Sequence, residues 1–141
     1  MSTALPDGYT LREGADAVAA HAYLTRSYWA AGIPLETVRR SLENSFALSI
    51  AHEGEQVGMA RVITDFATYA YVADVYVLEE HRGRGLSKAL IAGLRGHPRL
   101  QGLRRWALCT QDAQPLYRQF GWIEYPYPER MMTLDDPRLQ P

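Results

Sequence analysis

Apolar residues change their spacing several times along this chain, and each change marks an element. Residues 15–30 (ADAVAAHAYLTRSYWA) are alanine-rich, with Val18, Ala22, Thr25 and Trp29 recurring at helical intervals, which predicts a helix. A second helix is predicted over 35–44, directly after Pro34, with Leu35, Val38 and Leu42 in register. The period then shortens to that of strands. Residues 46–52 (FALSIAH) and 57–66 (VGMARVITDF) read as two strands flanking the turn EGEQ, and 70–78 (AYVADVYVL) as a third. A short strand over 9–12 (YTLR) precedes them all.

Helical spacing returns from Arg84 to Arg95, where Leu86, Leu90 and Leu94 make an apolar stripe with Ala89 filling in, before Gly96, His97 and Pro98 stop it. Residues 104–110 (RRWALCT) are strand-like. Residues 112–120 (DAQPLYRQF) predict a short helix, with Asp112 as N-cap and Gly121 just past its end. Two short β segments, 122–127 and 130–134, are expected to close the chain. The fold class that follows is α/β: a mixed sheet with helices on both faces. Two N-terminal helices lead into an antiparallel meander and then β-α-β-α-β, as one domain over residues 1–141.

Composition narrows the classes. A net charge of −1 with a pI near 6.4 offers no broad electrostatic footprint for nucleic acid or an anionic membrane. The one cysteine, Cys109, excludes an internal disulfide and a cysteine-rich metal site, and no metal is expected. No stretch reaches the length of a membrane span, and MSTALPDGYTLREG lacks an apolar signal core, so a cytoplasmic location is expected. Monomer and homodimer both stay open.

The chemistry concentrates in EEHRGRGLSKAL, residues 79–90. A strand, a loop and a helix in that order put Arg82, Gly83, Arg84, Gly85, Leu86 and Ser87 at a helix N-terminus. The first N–H groups there have no partner within the helix, and its dipole favours negative charge. Glycines let the backbone approach a ligand closely. The stretch suits a phosphate or pyrophosphate. It equally suits a solvated basic turn. It is neither a Walker A loop, since Ser87 precedes Lys88, nor a dinucleotide fingerprint, since the third glycine is missing.

DVYVLEEHRGRGLSKALI resembles the acetyl-coenzyme A motif of the GNAT superfamily of N-acetyltransferases, with Arg82-x-x-Gly85-x-Ser87 in its core pattern and serine in a slot usually held by glycine or alanine. TQDAQPLYRQFGW resembles the family's second signature: Ala113, Leu116, Tyr117 and Gly121 match, while Thr110 stands for the usual asparagine and Trp122 for phenylalanine. The resemblance runs from about residue 45 to 134 and implies a GNAT-like fold with a splayed central sheet. It implies acetyl-CoA as donor and an unidentified amine as acceptor, with direct transfer in a ternary complex. Pyrophosphate would lie on the amides of Arg82 to Ser87, and the pantetheine arm along the backbone of Val75, Tyr76 and Val77. Thr110 would lie beside the donor, and Tyr117 would protonate the departing sulfur. A backbone N–H of the 70–78 strand, Val77 the candidate, would stabilise the carbonyl oxyanion.

Other residues keep two readings. Asp74, in an apolar strand, is a candidate base or orienting group, and equally a structural carboxylate accepting backbone or arginine hydrogen bonds. Tyr117 could simply pack its ring on the sheet. His21, Arg26, Tyr28 and Trp29, with Tyr69 and Tyr71, are candidates for an acceptor pocket, although helix aromatics more often serve a core. A small-molecule amine is the leading acceptor. A peptide amine, and an acyl-CoA-binding module without turnover, are the alternatives.

Overall fold

The structure is a computed structural model, and it describes residues 4–139. Five strands form one sheet in the order β1-β2-β3-β4-β5: Tyr9–Glu13, Phe46–His52, Glu55–Thr64, Tyr69–Val77 and Arg105–Ala107. The first four pair antiparallel, and β5 joins β4 in parallel. Helices α1 (Ala17–Leu24) and α2 (Leu35–Glu43) cover one face, and α3 (Leu86–Gly96) and α4 (Gln114–Arg118) the other. This is the mixed α/β architecture the spacing predicts.

The β2–β3 hairpin turns on Glu53 and Gly54 alone, with φ of 51° and 82°. Two consecutive positive φ values match the right-handed strand twist, so β3 begins at Glu55, two residues before its expected start. On α3, Leu86, Ala89, Leu90, Ile91 and Leu94 are buried against β2, β3 and β4, as the leucine stripe predicts. Burial of such side chains stabilises by about 1.5–3 kcal/mol each.

Strand β4 changes phase halfway along. Ala70 and Val72 face the α3 cluster, and so do Val75 and Val77, while Tyr76 faces α1 and α2. Met59 pairs with Tyr76 but Arg61 pairs with Ala73, so Ala60 stands opposite the two residues Asp74 and Val75. This is a β-bulge, and Asp74 occupies it at φ 54°.

Several expectations are corrected. The first helix does not run to residue 30 but stops at Leu24. The hydroxyl of Ser27 donates to the Leu24 carbonyl at 2.7 Å and accepts from the N–H of Ala30 at 3.1 Å, and such local bonds compete with the helix ladder. Its buried side is Ala20 and Leu24, and Val18 is exposed. Second, α4 starts at Gln114 with Ala113 as N-cap, so Asp112 does not cap it. The Thr110 hydroxyl instead accepts from the N–H of Ala113 at 3.0 Å. Third, 122–127 and 130–134 form no strands, and only a short 3₁₀ turn, Pro128–Arg130, appears there. Pro126 and Pro128 supply no N–H to a ladder. Among the described residues the order of elements after the meander is therefore β-α-β-α, with no closing strand. Strand β5 is likewise shorter than expected, with 108–110 outside it.

Candidate active site

Strands β4 and β5 share three rungs, in which Tyr69, Ala70 and Tyr71 pair with Arg105, Trp106 and Ala107. Beyond Tyr71, β4 runs on to Val77 with no β5 partner, which gives the expected splay. The N–H of Leu78 donates to the Val57 carbonyl at 2.8 Å. Peptide groups alternate in direction along a strand, so those of Val75 and Val77 face the opening while that of Tyr76 faces β3. An extended ligand arm can therefore pair with Val75 and with the N–H of Val77, whose carbonyl accepts from Arg82 Nε. Tyr76 contributes its side chain elsewhere: its ring stacks on Tyr23 at 4.4 Å and its hydroxyl accepts from Gln56 Nε2 at 3.0 Å.

The loop after β4 ends on Gly85, the N-cap of α3, at φ 78° and with no side-chain cap. The N–H groups of Leu86, Ser87 and Lys88 thus begin the helix without an intrahelical partner. A Cβ built at Gly83 or Gly85 meets nothing within 4 Å. Open space over uncapped amides fits a pyrophosphate. Arg84 lies outside the helix, its guanidinium 6.0 Å from the Tyr9 ring centre. Arg82 turns inward, donating from Nε to the Val77 carbonyl at 3.0 Å and from Nη2 to the Tyr23 hydroxyl at 2.9 Å. It braces the loop against β4 and α1.

Tyr117 on α4 is buried in the same apolar cluster as Val77 and Leu86. Burial, and secondly the neighbouring Tyr28, push its phenol up to about 12. It stays protonated at neutral pH, as a proton donor must. Gly121, at φ 100°, follows α4 as expected, and the N–H of Trp122 reaches back to the Tyr117 carbonyl at 3.2 Å.

Because α1 ends early, residues 25–32 form turns that carry Tyr28 and Trp29 toward the opening. The Tyr28 hydroxyl accepts from the N–H of Gln111 at 3.3 Å, and Trp29 Nε1 donates to Asp74 Oδ1 at 3.0 Å. Arg61 Nε donates to Oδ2 of Asp74 at 2.9 Å, and both side chains are 12% exposed. Of the other acceptor candidates, Arg26 lies over the Tyr23 ring at 4.8 Å, and no side-chain bond ties His21 to the site among the described residues.

A cavity of about 970 Å³ lies against β4, β5 and α4, lined by Tyr69, Tyr71, Cys109, Thr110 and Tyr117 among others. Burial and the adjacent Cys109 push the Tyr71 phenol up to about 12. Sequence reasoning missed Arg61, whose meeting with Asp74 needs the bulged register, and Gln111, which acts through its backbone. It also missed Arg105 and Arg130 in the cavity wall. Among the described residues no group of three or more His, Cys, Asp or Glu could hold a metal, and no helix is long and apolar enough to cross a membrane.

Residues 11–122 match the model of the acetyltransferase (GNAT) family. A crystal structure from Xanthomonas campestris pv. campestris, assigned to the same family, is 40% identical, with a TM-score of 0.87 over 95% of this chain and 96% of that one. A curated Gibberella zeae protein assigned as an acetyltransferase is 31% identical over 121 residues, covering 70% of this chain and 67% of that protein. An acetyltransferase structure from Clostridium acetobutylicum with acetyl-CoA shares the fold at a TM-score of 0.68 and 14% identity, over 90% of this chain and 96% of that one. The chain belongs to the GNAT family of acetyltransferases, and it is an acetyltransferase.

Proposed function

We propose that the whole chain acts as one cytoplasmic domain that moves an acetyl group from acetyl-CoA to a primary amine of a small molecule. One observation carries the reading. Tyr117 packs in one apolar cluster with Val75 and Val77, from the unpaired stretch of β4, and with Leu86, the first residue of α3 after its uncapped N-terminus.

Bound acetyl-CoA supplies the thioester: the amine nitrogen bonds to its carbonyl carbon as the C–S bond breaks, and the amine's surplus proton leaves to water. The amides of Gly83 to Ser87 hold the pyrophosphate. Val75 and Val77 align the arm, with the Val77 N–H as oxyanion donor. Tyr117 donates its proton to the departing sulfur and recovers one from solvent. Thr110 holds the start of α4, which positions Tyr117. Tyr28 and Trp29 wall the acceptor side. With both oxygens engaged, Asp74 serves as a positioning residue and not as the base.

Thermal denaturation with coenzyme A, run beside thiol release with a panel of amines, tests this. Stabilisation by mass action and amine-dependent thiol release are expected. Stabilisation without release from any amine would refute the transfer reading.

A further inference from the structure

The cavity beside Tyr117 is cationic although the chain carries a net charge of −1. Arg95, Arg105, Arg118 and Arg130 line it, against the single carboxylate of Glu124, which pairs with Arg118. Arg105 and Arg130 lie over ring faces instead, as Arg95 does over Trp106 at 5.1 Å. The Arg105 guanidinium lies 5.4 Å from the Tyr125 ring centre, and that of Arg130 3.9 Å from the Tyr127 ring centre. Among the described residues neither guanidinium has a carboxylate or hydrogen-bond acceptor. Ring faces fix the two planes and leave their N–H edges free, a preorganised arrangement for a planar anion.

The position of Arg105 sets a length. In the parallel register it stands beside Tyr69, on the face shared by Tyr71 and Ala107. From there β5 runs to Ala107, roughly 7 Å of strand, and Cys109, Thr110 and Tyr117 line the same cavity further along the chain. Resting on the acetyl-transfer reading, we propose that the acceptor is an amine bearing a carboxylate several bonds away, an ω-amino acid, with Arg105 and Arg130 as its carboxylate anchor. The reacting nitrogen then reaches the thioester near Tyr117 while the carboxylate stays at the far end of the cavity. A carboxylate directly beside the amine does not span that distance.

The experiment compares ε-aminocaproate, its carboxamide and free glycine as acceptors, with the wild type and with Arg105→Gln, Arg130→Gln and the double variant. The expected result is a wild-type preference for ε-aminocaproate over both others, by about 10-fold or more. Each substitution should raise its KM by a similar factor, with kcat, carboxamide kinetics, coenzyme A binding and melting temperature unchanged. Equal use of acid and carboxamide, or equal loss of both in the variants, overturns the anchor while leaving acetyl transfer standing. No thiol release from any amine overturns acetyl transfer and the anchor with it.

Discussion

The indole N–H of Trp29 and the carboxylate of Asp74 meet at 3.0 Å, joining the loop after α1 to the bulge in β4. Arg61 takes the other carboxylate oxygen at 2.9 Å. Removing Asp74 strands a largely buried guanidinium, so Asp74→Ala should cost about 3 kcal/mol by denaturant unfolding. Asp74→Asn keeps a residue that tolerates positive φ and an acceptor for Trp29, and should cost less. Turnover of Asp74→Asn should stay within about 10-fold of wild type. Loss of turnover at unchanged stability would instead make Asp74 the base.

Much of this was legible because strand and helix periods are strong here. Val57, Val62, Val72 and Val77 are buried as core-facing strand positions require, and the α3 leucines recur as a helix requires. The end of α1 was not legible, because Ala17 to Trp29 keeps a helical pattern while the stop comes from one Ser27 hydroxyl. The glycine loop showed itself through its own residues. The Arg61–Asp74 pair did not, since it depends on two residues opposing one across β3 and β4. The phase break between Val72 and Val75 was the available signal.

Gly85 caps α3 at φ 78°, where a β-branched side chain is strained by about 1–3 kcal/mol. Gly85→Val should also place its side chain in the open space over the amides. Coenzyme A should then no longer raise the melting temperature, although the variant folds. An undiminished shift would sink the pyrophosphate assignment.

The Tyr117 phenol, pushed up to about 12, holds its proton across the whole neutral and moderately alkaline range. A raised value extends the protonated window upward. Turnover should therefore rise with pH as the acceptor amine deprotonates, and show no Tyr117 limb below about pH 11. A falling limb near pH 9 that disappears in Tyr117→Phe would contradict this.

Tyr28 bridges to Gln111 and stands close enough to Tyr117 to raise its phenol further. Tyr28→Phe deletes one neutral hydrogen bond, worth about 1 kcal/mol. Acceptor kcat/KM should fall by roughly 5-fold with coenzyme A binding unchanged, which steady-state kinetics and calorimetry can separate.

The most direct test of the account is acetyl-CoA turnover by Tyr117→Phe, read as thiol release together with mass detection of the acetylated amine. Proton transfer from a phenol near 12 to a thiolate is uphill, so the loss should lie at the low end for general-acid catalysis, about 10²-fold. Coenzyme A should still stabilise the variant as it does the wild type. Turnover at the wild-type rate would contradict Tyr117 as the proton donor.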